Sequence, residues 1–164
     1  MIRNITVLFS IILLVGCSTY FPVPTKYEPP TNISDIAKIR LMGNPLYYSI
    51  RQKNNTGVMA GGFVVEHNRF LNLGFGTTVD NGFPKIEGKD YTGKYFETFV
   101  IADRMTDINY LAPNCSVTLE KIIPKKDALY EVHYSDTDLT GFCVLYIRPV
   151  VFDEVNSIYI EGRF

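Results

Sequence analysis

From Ser116 onward the chain repeats one pattern, a short alternating apolar run followed by a polar turn. Ser116 to Ile122, Leu129 to Ser135 and Phe142 to Arg148 read as strands, because every second residue is apolar and so falls on one face of a pleated ribbon. Pro124-Lys125-Lys126-Asp127 and Asp136 to Gly141 supply the turns between them. Nothing after Gly16 sustains a helical period. Upstream, Ala37, Ile39 and Leu41 alternate with Lys38 and Arg40, predicting a half-buried strand that Gly43-Asn44-Pro45 ends. Leu46 to Gln52, Val58 to Glu66, Tyr95 to Ile101 and Asp107 to Ala112 follow as further strands, with Arg69 to Leu73 and Gly76 to Val79 as shorter ones. Gly61-Gly62 suggests a bulge in the third strand, and Asp80 to Gly93 reads as a long surface loop. Ser157 to Glu161 is a candidate final edge strand. Many short strands at close spacing predict an all-β fold, an antiparallel β-sandwich over residues 33–164. The eleven Tyr and eleven Phe suit such pleated surfaces.

The N-terminus is of another kind. Arg3 precedes an apolar run, Ile5 to Gly16, that is interrupted only by Thr6 and Ser10. Its 12 residues are too few to cross a bilayer as a helix, which takes about 20. They have the length and flanks of a signal peptide. Leu14-Val15-Gly16-Cys17 closes the run and resembles the lipobox of bacterial lipoproteins. The resemblance implies that diacylglycerol joins the Cys17 thiol, that the chain is cut between Gly16 and Cys17, and that the new amino group is acylated. More than one acyl chain makes such an anchor stable, at about 0.8 kcal/mol per buried CH₂. Ser18 follows the cysteine where an Asp commonly holds enterobacterial relatives in the inner membrane, so an outer-membrane address is implied for a Gram-negative host. Residues 17–32 contain Pro22, Pro24, Pro29 and Pro30 and read as an extended tether. From Ser18 it could reach about 45 Å at 3.1 Å per residue.

With Cys17 set aside, Cys115 and Cys143 remain as an even pair in an exported chain. A disulfide between them is the expectation, two buried thiols the alternative. Cys115 shares the parity of Val117 and Leu119, and Cys143 that of Leu145 and Ile147, so both sit on apolar faces. Strands that flank a common neighbour in one sheet lie nearly 10 Å apart, at about 4.8 Å per step. A disulfide allows about 7 Å between Cα atoms. A Cys115–Cys143 bond therefore requires two facing sheets, or a Cys115 that bends across from its strand entry. The stretch from Tyr95 to Arg148, with "YEVHY", a polar turn and "GFCVLYI", also resembles small bacterial lipoproteins with a β-sandwich domain. That resemblance implies a fold and no activity.

Charge and motifs narrow the function. Loss of Arg3 with the signal would leave 15 basic against 17 acidic side chains, about −2. There is no basic stripe to neutralise phosphates, so nucleic acid is not an expected partner. His67 reads as a turn residue and His133 as a strand residue on the surface beside Glu131, too poor a set for a metal site, which takes three or four ligands. Asp136 and Asp138 with Gly141 begin like a calcium loop, but Ile147 stands where the closing Glu is needed. Gly74-Phe75-Gly76 runs into β-branched residues rather than a helix, and no Gly-x-Ser-x-Gly occurs. The terminal Phe164 lacks the alternation of an outer-membrane barrel tail. The expected protein is a lipid-anchored envelope module that binds or braces, without catalysis, metal or cofactor. Its expected contacts are the membrane, through the anchor, and another envelope protein. The competing expectation is an envelope-polymer hydrolase in which loop carboxylates such as Asp80, Asp90, Asp103 and Asp107 converge.

Overall fold

A computed structural model describes residues 25–66, 78–137 and 142–164. The expected signal peptide with Gly16 and Cys17, the run Arg69–Leu73, His67, Gly74–Gly76 and the turn positions Asp138–Gly141 lie outside the described residues. Among the described residues, nine strands form two sheets: β1 (Ile36–Met42), β2 (Tyr47–Lys53), β3 (Met59–Glu66), β4 (Tyr95–Ile101), β5 (Thr106–Ala112), β6 (Cys115–Ile122), β7 (Leu129–Thr137), β8 (Phe142–Asp153) and β9 (Ile158–Glu161). No helix occurs among the described residues. One sheet has the order β4-β1-β7-β8-β9, the other β3-β2-β5-β6. The expected β-sandwich is the architecture found, with one departure: β1 and β7 run parallel, while every other strand pair is antiparallel.

The core lies between the sheets. Ala37, Ile39 and Leu41 on β1, Val100 on β4, and Tyr130 and Val132 on β7 meet Tyr48 and Ile50 on β2 and Ile108 and Tyr110 on β5. The alternating residues are the ones the pattern assigns to a buried face. Tyr110 stacks on Tyr134 across the core at 4.5 Å and receives the edge of Tyr48 at 5.2 Å. Each long side of the sandwich is fastened differently. On one, the Gln52 amide of β2 donates to the Ile101 carbonyl of β4 and accepts from its N–H, at 2.8 and 2.9 Å. On the other, Cys115 of β6 is bonded to Cys143 of β8, with Cα atoms 5.9 Å apart. The disulfide thus joins facing sheets, the first of the two geometries the strand spacing allows.

Several local expectations change. The register slip in β3 leaves Val64 as the extra residue, not Gly61-Gly62. Those glycines instead permit close approach: a Cβ on Gly61 would meet the Ile50 carbonyl, and one on Gly62 the Thr25 carbonyl, each at 2.0 Å. Thr25 is close because residues 25–27 already belong to the sandwich. Phe63 N–H donates to Thr25 O, Tyr27 N–H donates to Phe63 O, and the Tyr27 ring is buried in the core. The fold therefore takes in residues 25–27 of the expected tether. β1 is buried on both faces rather than half-buried, and Arg40 is among its fully buried residues. The cause is residues 78–94, which pack across the outer face of the five-stranded sheet as a strap instead of lying out as a surface loop. Phe83 of the strap is buried with Leu129 and Val150, against Ile86, Phe99 and Tyr159.

Candidate functional site

The two outer faces of the sandwich carry the polar chemistry, and each is organised by one row of residues running across its strands. Under the strap, the register places Glu97 of β4, Arg40 of β1 and Glu131 of β7 side by side. Each follows an apolar core residue, so each points to the outer face. All three side chains are fully buried. Arg40 Nε donates to Glu97 Oε1 at 2.8 Å, Nη1 to Glu131 Oε1 at 2.6 Å, and Nη2 to the Phe83 and Pro84 carbonyls at 2.8 and 3.0 Å. The remaining oxygen of Glu97 accepts from the Asn81 and Phe83 N–H groups. Tyr91 O–H donates to Glu131 at 2.5 Å, and its ring lies 4.9 Å from the Arg40 guanidinium. A buried charge is tolerated only when paired and saturated with hydrogen bonds. This row meets that condition because the strap brings the missing partners.

Beside it, Glu131, His133 and Glu161 place one ligand atom each within 4.8 Å of one another, a spacing that could hold a metal ion. That position is taken by the chain's own cation. Lys89 Nζ of the strap lies 2.7 Å from Glu131 Oε2, 2.7 Å from Glu161 Oε1 and 3.2 Å from His133 Nε2. His133, expected on the surface, is instead mostly covered, and its ring stacks on Tyr146. Burial pushes the Glu131 carboxyl up, but hydrogen bonds from His133, Lys89, Tyr91 and Arg40 outweigh it and hold the group well below the usual carboxylate range. These charges are engaged with one another, and their chemistry is that of a clasp.

The aspartates expected to converge are dispersed. Asp80 pairs with Lys85 and Tyr95 at the strap side. Asp90 accepts from the Thr92 N–H within the strap. Asp103 pairs with Lys125. Asp107 lies on the outer face of the other sheet, where it accepts from the Lys121 N–H. Opposite outer faces are separated by both sheets, which pack about 10 Å apart. Among the described residues every resolved carboxyl shift is downward, at Asp35, Asp80, Asp90, Glu131 and Asp153. A general acid needs the opposite shift.

The outer face of the four-stranded sheet differs in kind. Its row is Phe63 of β3, Ser49 of β2, Asn109 of β5 and Thr118 of β6. No described segment roofs it. The face dips into a groove of about 270 Å³ lined by Tyr47, Ser49, Arg51, Phe63, Asp107, Asn109, Thr118 and Glu120. Tyr47 and Phe63 meet edge to face at 4.8 Å and form an aromatic wall. Asn109 Nδ2 donates to Thr118 Oγ1 at 2.8 Å, while Asn109 Oδ1 is buried with no partner among the described residues. Arg51 and Asp107 are register partners of opposite charge, yet they form no ion pair. Tyr47, Ser49 and Glu120 have no side-chain hydrogen bond among the described residues. Sequence reading missed this groove. Its residues have the outward parity of ordinary surface positions, and only the cross-strand register brings them together.

Comparison with known protein families, curated proteins and solved structures finds no match for the chain.

Proposed function

We propose that the chain is a lipid-anchored cell-envelope protein whose β-sandwich is a non-catalytic binding module, with the groove of the four-stranded sheet as its working face. One observation carries the choice of face: the groove holds a buried amide oxygen with no partner among the described residues, whereas the buried ions under the strap are fully engaged and the other unpartnered buried atom, Thr98 Oγ1, lies on the core side of β4. An unsatisfied buried polar atom costs about 1–3 kcal/mol. A fold retains that cost where a ligand or water meets the atom.

The anchor rests on Leu14-Val15-Gly16-Cys17. Since the fold takes hold at Thr25, eight positions after Cys17, a lipid on that cysteine would keep the domain within about 28 Å of the bilayer, at 3.5 Å per residue. That is a shorter leash than the proline content alone suggests, and it suits a ligand that is itself part of the envelope. Metabolic labelling with a palmitate analogue, followed by membrane fractionation, tests the anchor. The labelled wild type should sediment with membranes, and Cys17→Ser should lose both label and sedimentation. An unlabelled wild type, or a Cys17→Ser variant that still sediments, would refute it.

A further inference from the structure

The residues of the groove indicate the class of ligand. β2 pairs with β3 on one side and β5 on the other, and β5 pairs with β2 and β6. The backbone beneath the groove is therefore committed to the ladders. A peptide read by strand addition needs a free edge; the floor of the groove, on β2 and β5, offers none, and only its rims, Phe63 on β3 and Thr118 and Glu120 on β6, lie on edge strands. On that floor recognition must come from side chains.

Those side chains have mixed charge. Arg51 shares the lining with two carboxylates, Asp107 and Glu120, so the groove has no positive excess to attract a phosphate or an anionic polymer. What remains is a ring of short hydrogen-bonding groups: Ser49, Asn109, Thr118, Asp107 and Glu120 with Arg51. Their donors and acceptors are interleaved. Whichever way the Asn109 amide is turned, Thr118 satisfies one of its ends and the other, buried just beneath the groove lining, has no partner among the described residues. A hydroxyl can donate or accept, so it fits either state. Beside this ring the Tyr47–Phe63 wall offers apolar surface. A ligand must therefore be rich in hydroxyls around its rim and carry C–H surface on its face. Saccharides have both. The groove's 270 Å³ lies just under the usual range of about 300–1,000 Å³ for small-molecule clefts, so it would hold a short stretch of a chain.

We propose that this groove is a binding site for a neutral saccharide chain, with Asn109 and Thr118 reading hydroxyls and Tyr47 and Phe63 supporting a ring face. The proposal rests on the reading of the sandwich as a binding module.

The test is calorimetric titration of the full-length protein in detergent micelles with three probes: maltotriose, cellotriose and the β-1,4-linked trimer of N-acetylglucosamine. Inorganic phosphate and a polar, uncharged decapeptide serve as counter-probes. At least one trisaccharide should bind with sub-millimolar affinity. Asn109→Ala and Tyr47→Ala should each weaken it tenfold or more. Thr118→Val, a near-isosteric change, should weaken it in the same direction. Phe152→Ala, on the exposed β8–β9 hairpin away from the groove, should leave it unchanged. Circular dichroism and an intact Cys115–Cys143 bond establish that each variant is folded. The saccharide assignment is overturned if no trisaccharide binds the folded wild type, or if binding survives the groove variants. Binding of phosphate or peptide that the groove variants abolish would overturn the saccharide while leaving the binding module intact. The anchor is judged separately, by acyl labelling at Cys17.

Discussion

The two outer faces of the sandwich are built from the same material and end up opposite in character. Each presents a row of polar or charged residues at outward positions of adjacent strands. Glu97–Arg40–Glu131 crosses the five-stranded sheet, and Ser49–Asn109–Thr118 crosses the four-stranded one. The first row is roofed by residues 78–94, and its donors and acceptors are engaged. The second is open, with an amide oxygen unmatched and Arg51 unpaired with Asp107 across the strand. The difference lies in the strap, not in the polarity of the rows. Where the chain supplies its own partners, charges become part of the architecture. Where it does not, they remain available to something else.

This contrast can be broken by experiment, most forcefully at Arg40. Arg40→Leu leaves Glu97 and Glu131 buried without their shared cation and should destabilise the fold by about 3–5 kcal/mol. Urea unfolding followed by circular dichroism gives that number. A loss below about 1 kcal/mol would mean that the roofed row behaves as a surface ion pair does. Next comes the covalent fastening. Replacing Cys115 and Cys143 together by Ser opens a 28-residue connection and should cost about 3–4 kcal/mol on the chain-entropy account. The same unfolding assay without reductant would show it, and unchanged stability would make the bond dispensable.

Acid probes the strap more gently. Glu131 is held below its ordinary carboxyl range in the folded protein. Its contribution is therefore present above the unfolded carboxyl pKa of about 4.3 and disappears as pH falls through the lower folded value. Hydrogen exchange of the strap amides, Phe83 and Ile86 among them, should be flat from neutral pH to about 5 once intrinsic rates are corrected, and should quicken below about 4. Quickening on the alkaline side of neutrality instead would reverse the sign and discredit the clasp. The smallest effect sharpens the contrast from the other face. Asn109→Ala should change stability by no more than about 0.5 kcal/mol, because the lost hydrogen bond to Thr118 is offset by removal of a buried oxygen with no partner among the described residues. A cost near that of Arg40→Leu would show that the open row is structural as well.

Alternation made most of the fold legible. Tyr95–Ile101 coincides with β4, and β1, β2, β5 and β6 lie within a residue of their expected ends. β7 and β8 continue beyond the expected ends, to Thr137 and Asp153. The parity of Cys115 and Cys143, set against strand spacing, restricts a bond between them to facing sheets or to a bend at the entry of β6, and the first is the one found. What stayed hidden depends on register, which local pattern does not encode. Arg40, between Ile39 and Leu41, reads as a solvated outward residue, as do Glu97 and Glu131 in their strands. A sign was nevertheless present. Phe83, Ile86 and Tyr91 are too apolar for a loop that lies in water, and they needed a surface to cover. The groove left no such sign, because Tyr47, Ser49, Asn109 and Thr118 come from three strands and are unremarkable in each.

Whether the open face is the working one can be read most directly from nuclear magnetic resonance shift mapping. Isotope-labelled full-length protein in micelles would be titrated with whichever trisaccharide binds in calorimetry. The expected perturbations centre on Tyr47, Ser49, Arg51, Asn109 and Thr118, with Lys89, Tyr91 and His133 unmoved. Perturbations gathered on the strap and Glu161, with the groove silent, would contradict the account.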